Sequence, residues 1–108
     1  MNYVIGIGGN EGDVPKTFGE VFLRISGNLG KIKKTSRWYY SKPLPVEGGL
    51  SQQEYLNAVF LLETVLEPES MLTELLNIEI AFGRDRSKSY YWGPRSLDLD
   101  IIASDIGI

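Results

Sequence analysis

An α+β fold, an antiparallel sheet with helices packed on it, is predicted by three features of this 108-residue chain. Segments that alternate apolar with other residues occur near each end and in the middle, and that period of two belongs to strands. Two segments instead place apolar residues three and four apart, the spacing of an amphipathic helix. The two kinds follow one another as βαββαβ within a length suited to one domain spanning residues 1–108, which can bury roughly two-thirds of its extended-chain surface.

The elements follow in order. Residues 2–8 set Tyr3, Ile5 and Ile7 against Val4, Gly6 and Gly8, a strand whose glycines admit close packing on one face. After the loop Gly9 to Asp13, residues Phe18, Val21, Phe22, Ile25 and Leu29 recur at helical spacing, with Asp13 as N-cap, Pro15 in the first turn and Gly27 and Asn28 as stop signals. Residues 31–40 are β-branched and aromatic enough for a second strand, which the prolines and glycines of 41–49 cannot continue. The run YLNAVFLLET at 55–64 is the third strand; Pro68 opens a helix carrying Met71, Leu75, Ile78 and Phe82, and Gly83 ends it. A polar, aromatic loop over 84–96 leads to the last strand at 97–103. The βαββαβ order favours a ferredoxin-like antiparallel sheet with both helices on one face.

Composition removes several chemistries. There is no cysteine and no histidine, so disulfides, thiolate nucleophiles, cysteine metal sites and histidine general bases are excluded. Eleven basic and fourteen acidic residues leave a net charge of −3, which gives no reason to expect nucleic acid or an anionic membrane as partner. No apolar run approaches the roughly 20 residues that span a bilayer, and the N-terminus lacks the basic segment and cleavage pattern of a signal peptide, so a cytoplasmic location is expected.

The segment GGNEGDVPKT at 8–17 has the strand, glycine turn, helix order of a phosphate-binding loop, but Pro15 stands where that loop requires glycine before its lysine. Gly6, Gly8, Gly9 and Gly12 also miss the dinucleotide spacing. A tight strand-to-helix connection remains, compatible with a wall that lets a small molecule approach backbone.

Asp98 and Asp100 lie two apart in the last strand and project from one face, about 7 Å apart at the backbone. Either they face water and pair with Arg95 and its neighbours, or they hold a hard cation such as Mg2+, which takes oxygen ligands through one or two carboxylates plus substrate phosphates. The adjoining loop favours the second reading: Arg84, Arg86, Lys88 and Arg95 against Asp85 give it +3 in a chain of net −3. Guanidinium groups grip phosphate bidentately, so carboxylates, metal and arginines together describe a nucleoside triphosphate site. Trp92, Tyr90 and Tyr91 either stack on such a ligand or serve as ordinary packing aromatics. Tyr55 and Asn57 share a strand face and offer a stacking ring beside an amide, as a flat hydrogen-bonding heterocycle requires, although a strand tyrosine commonly only packs. Glu79 falls at the margin of its helix's apolar stripe, either toward the cleft of Arg84 or as a surface acid paired with a cation.

Taken in order, GGNEGD, YLNAVFLLET, IEIAFGRDR and WGPRSLDLDII resemble the 6-hydroxymethyl-7,8-dihydropterin pyrophosphokinase family of folate biosynthesis, over roughly residues 4–102. The resemblance implies transfer of pyrophosphate from ATP to the pterin hydroxymethyl group with release of AMP and two Mg2+ ions. By it, Asp98 and Asp100 bind metal, and Arg84 and Arg95 join them as catalytic residues. Glu79, Arg84, Arg86, Trp92, Arg95 and Ile101 belong to the ATP side. Gly8, Ser41, Leu44, Tyr55, Asn57 and Asp98 belong to the pterin side. The family's loops close over their ligands, which implies mobility of 41–53 and 84–96 without them.

The sequence departs from the family at Gly9, Glu11, Leu76 and Tyr91, and has one extra residue between Arg86 and Trp92. It also reads as C-terminally short, without the family's later histidine, arginine and second aromatic wall. A monomer, or a module completed by another chain, is therefore expected. The alternative is a family member that binds nucleotide or a partner without turnover; a βαββαβ RNA-binding domain is disfavoured because YLNAVFLLET lacks the alternating basic and aromatic motif.

Overall fold

A computed structural model of the chain describes residues 1–42, 53–83 and 97–106. In order, the elements are β1 (Asn2–Gly9), α1 (Val14–Asn28), β2 (Lys31–Thr35), β3 (Tyr39–Ser41), β4 (Tyr55–Glu63), α2 (Pro68–Ala81) and β5 (Asp98–Ser104). The strands form one antiparallel sheet ordered β2-β4-β1-β5, with β3 also paired to β4. The expected α+β, ferredoxin-like arrangement is what the chain adopts.

Alternation in β1 and β4 decides which face is covered. Tyr3, Ile5 and Ile7 and, across the register, Leu56, Ala58, Phe60 and Leu62 are buried in one cluster with Phe18, Val21 and Ile25 of α1 and Met71, Leu75 and Ile78 of α2. Each Val, Leu, Ile, Phe or Met side chain among them contributes about 1.5–3 kcal/mol by leaving water. Phe60 meets Phe22 edge-on at 5.2 Å between centroids. Val4, Gly6 and Gly8 point to the opposite face, which neither helix covers.

The helix ends follow the sequence signals. The Asp13 side chain accepts the Lys16 backbone N–H at 3.2 Å, capping α1. Gly83, at φ 92°, closes α2 in the left-handed region that glycine enters without a Cβ clash. Burial raises the Tyr3 phenol above its ordinary pKa, with Asp105 and Glu67 adding to the effect, and its hydroxyl donates to the Leu66 carbonyl at 2.8 Å.

One expected strand is divided. Residues 31–40 form β2 and β3 because Ser36 breaks the ladder: its N–H donates to the Val59 carbonyl at 2.7 Å, and its hydroxyl accepts the Val59 N–H at 2.8 Å. Trp38 packs edge-on against Phe18 at 5.2 Å and stacks on Phe22 at 6.1 Å, drawing the chain toward α1 between the two strands. At the other sheet edge, the β1–β5 register slips by one residue between Val4 and Ile5, so that Ile102 is extra and lies over Gly6. Beyond the bulge Asp105 clasps Asn2, accepting its backbone N–H and its side-chain amide, each at 2.9 Å.

Candidate functional site

The face of the sheet that neither helix covers gathers several of the residues singled out by their chemistry. Gly8 of β1 is paired with Asn57 of β4 on one side and with Asp98 of β5 on the other. Gly6 is likewise paired with Val59 and with Asp100. Directly opposed residues share a face, so Asn57, Gly8 and Asp98 form one row and Val59, Gly6 and Asp100 the next. Tyr39 continues the first row beyond Asn57, and Ser41 faces Tyr55. Gly8 makes the floor of the first row, where a Cβ would meet only Asn57 Oδ1 at 3.5 Å and the Leu56 carbonyl at 3.6 Å, whereas Gly6 lies under the Ile102 side chain.

Asn57 is oriented by its neighbours. Its amide nitrogen donates to Ser41 Oγ at 2.8 Å and to the carbonyls of Tyr39 and Tyr55 at 3.3 Å each, tying short β3 to β4. Asp98 is half-buried and Asp100 exposed, so the pair stands at the boundary of core and solvent.

The donor set fits a hard cation in a particular way. Among the described residues, no three of the histidine, cysteine, aspartate and glutamate type cluster as a metal cage. Asp98 and Asp100 instead offer two carboxyl groups on one face, opposite Gly8 and Gly6, which suits an ion that takes its remaining ligands from water and phosphate.

The sequence matches the 7,8-dihydro-6-hydroxymethylpterin-pyrophosphokinase (HPPK) family over residues 4–108. The chain belongs to this family. It is 37% identical over 100 residues to the 2-amino-4-hydroxy-6-hydroxymethyldihydropteridine pyrophosphokinase of Synechocystis, which covers 92% of this chain and 48% of that protein. The protein of the same name from Methylorubrum extorquens is 32% identical over 100 residues, 92% of this chain and 60% of its own length. That from Haemophilus influenzae is 48% identical over 68 residues, 63% of this chain and 39% of that protein. The chain thus spans about half the length of these pyrophosphokinases.

The structure places the other expected residues of this pyrophosphokinase-family chain unevenly. Leu44, Arg84, Arg86, Trp92 and Arg95 lie outside the described residues, as does most of each expected mobile loop. Ile101 faces away from the aspartates: it pairs with Ile5 and packs partly on the core. Glu79 is neither a surface acid nor at a margin; it is 3% exposed, and its Oε2 accepts the Leu99 backbone N–H at 2.8 Å. Its position, eight residues after Met71 and one after Ile78, puts it on the buried stripe.

Asn10 was missed in the sequence. It is 2% exposed and donates to the Gln53 carbonyl at 3.1 Å, while the Gln53 side chain donates to the Gly12 carbonyl at 3.1 Å. These two bonds bind the glycine loop to the segment entering β4. The available signal was a single amide inside a glycine-rich turn, a residue type that commonly bonds nearby backbone.

Proposed function

We propose that this chain transfers pyrophosphate from ATP to the hydroxymethyl group of 6-hydroxymethyl-7,8-dihydropterin, releasing AMP, in folate biosynthesis. The observation that carries the reading is the row Asn57, Gly8, Asp98: an amide for a heterocycle and a carboxyl pair for metal stand on one helix-free face, separated by a glycine. Family membership supplies the chemistry to which that arrangement answers.

In this reading Tyr55, Asn57, Ser41, Leu44 and Gly8 hold the pterin. Its flat ring lies over the glycine floor, and its hydroxymethyl group is directed toward Asp98. Arg84, Arg86 and Arg95 grasp the triphosphate, and Trp92 encloses the nucleotide, as expected of guanidinium and aromatic groups beside a nucleoside triphosphate. Glu79 and Ile101 are assigned to the ATP side by the family resemblance alone, since Ile101 turns to the core face and Glu79 is buried against the β5 backbone. Asp98 and Asp100 hold two Mg2+ ions, which when bound neutralise phosphate charge and favour attack by the alcohol oxygen.

The chain's own contribution is positioning and charge. The amide and the ring orient one substrate, the carboxyls and arginines the other, so that the alcohol oxygen stands in line with the β-phosphorus. As the new O–P bond forms, the bond from the β-phosphorus to the bridging oxygen of AMP breaks, and the alcohol proton passes to Asp100 or to water. No helix among the described residues is long and apolar enough to cross a membrane. A cytoplasmic location, and a monomer or a module completed by another chain, are part of the same proposal.

The test is product analysis with ATP, Mg2+ and the hydroxymethyl dihydropterin. AMP and pterin diphosphate are expected in equal amounts, with Asp98→Asn and Asp100→Asn each slowing their formation on the order of 100-fold or more. No AMP from the folded chain, or rates unchanged in both variants, overturns the reading.

A further inference from the structure

Among the described residues β5 pairs with β1 alone, so alternate N–H groups of β5 point away from its partner strand. The Leu99 N–H is one of these, and it is satisfied from outside the sheet by Glu79 Oε2 at 2.8 Å, in a buried bond. Leu99 separates Asp98 from Asp100, and its side chain is anchored in the core. By the same alternation the backbones of Asp98 and Asp100 are held toward β1, opposite Gly8 and Gly6. The strand is therefore gripped from both edges at the acidic pair: by β1 at the aspartates and by α2 between them.

Glu79 is an expensive way to fill its position. It sits in the last turn of α2, at the end where the helix dipole disfavours an acid, and it is almost fully buried beside Met71, Leu75 and Ile78. A leucine or methionine there would extend the apolar stripe at no such cost. What the carboxyl provides, and an apolar side chain does not, is an acceptor that reaches the β5 backbone.

We propose that Glu79 is a positioning residue for the metal site: it fixes the β5 backbone so that the Asp98 and Asp100 carboxyls stay aimed at one point above the glycine floor. The inference rests on the metal reading of that pair and assigns Glu79 a task separable from any nucleotide contact. Groups that orient metal ligands without touching the ion typically change metal affinity by about 10–100-fold. Glu79 acts through backbone, so the lower end of that range applies.

Three variants separate reach from charge. Glu79→Gln keeps an acceptor oxygen at the same reach; Glu79→Asp keeps the carboxyl but falls one methylene short; Glu79→Met keeps the volume and loses the acceptor. Binding of Mn2+ with α,β-methylene-ATP, followed by the paramagnetic resonance of free Mn2+ well below every variant's melting temperature, is compared with hydrogen exchange at the Leu99 amide. Affinity should fall about tenfold in the Asp and Met variants, with faster Leu99 exchange, and stay within about threefold of the parent in the Gln variant.

A packing role alone lowers melting temperature without moving the Mn2+ affinity of the folded protein. Should the Met variant fail to fold, the contrast between Asp and Gln carries the test. Asp and Gln variants that bind Mn2+ equally well, or lose it equally, overturn the positioning role. Parent binding that Asp98→Asn and Asp100→Asn leave unchanged overturns the metal reading, and the positioning role with it.

Discussion

Asn57 and Asp98 stand on the same face of the sheet, each the register partner of Gly8 from opposite sides. Two strand spacings, about 10 Å, separate their backbones, and between them lies only a glycine. The gap is therefore floored by backbone and walled by an amide on one side and a carboxyl on the other. Both walls are fixed by the ladder rather than by a loop, which suits a site that must hold two reactants in one geometry.

The Asn57 wall is testable alone. Its amide donates to Ser41 Oγ at 2.8 Å and to two carbonyls, so Asn57→Ala removes the proposed pterin-recognition group and loosens β3. Pterin affinity, read from pterin fluorescence with α,β-methylene-ATP present, is expected to drop about tenfold, or about 1.4 kcal/mol. Nucleotide affinity should change by less than about twofold; equal losses for both ligands would contradict a pterin-specific wall.

Two glycines should respond in opposite ways to the same added methyl group. At Gly8 a Cβ meets nothing closer than 3.5 Å, so Gly8→Ala is expected to fold with a melting temperature within a few degrees of the parent. Its defect should appear in pterin binding, because the methyl group occupies the floor. At Gly30 a Cβ would run into the Glu63 carbonyl and come within 2.9 Å of the Thr64 Cβ, both fixed by the end of β4. Gly30→Ala should cost about 3 kcal/mol or more, read by denaturant unfolding.

The clasp between Asp105 and Asn2 predicts an acid response. The Asn2 backbone N–H, and then the Asn2 side-chain amide, hold the Asp105 carboxyl below its ordinary value of 3.8. A carboxyl depressed by folding stabilises the folded state above 3.8, and that contribution is lost as pH falls through the lower folded-state value. Asp105→Ala should therefore melt below the parent at neutral pH, with the difference narrowing in thermal scans taken below pH 3.8. A difference that stays constant across those scans would count against the clasp.

What could be read in the sequence was whatever a period of two or 3.6 encodes. Asp98 and Asp100 on one face, Tyr55 and Asn57 on one face, and the apolar sides of both helices all follow from spacing. That the two strand pairs share the same side of the sheet did not follow, because register is a tertiary fact; it required Gly8 to meet both Asn57 and Asp98. Nor did the break at Ser36, where a hydroxyl replaces a ladder acceptor, or the bulge at Ile102. Glu79 was visible as an acid near an apolar stripe, yet its partner lies 20 residues away on another element, and helical period carries no information about that.

The proposed transfer requires divalent metal and triphosphate to gather on the face of Gly8, Asp98 and Asp100, and paramagnetic mapping reads this directly. With Mn2+ and α,β-methylene-ATP added to the 15N-labelled chain, the backbone signals of Gly6, Gly8, Asp98, Leu99 and Asp100 should broaden first, and Asp98→Asn with Asp100→Asn should abolish the effect. Persistence of those signals while residues of α1 or β2 broaden instead would contradict it.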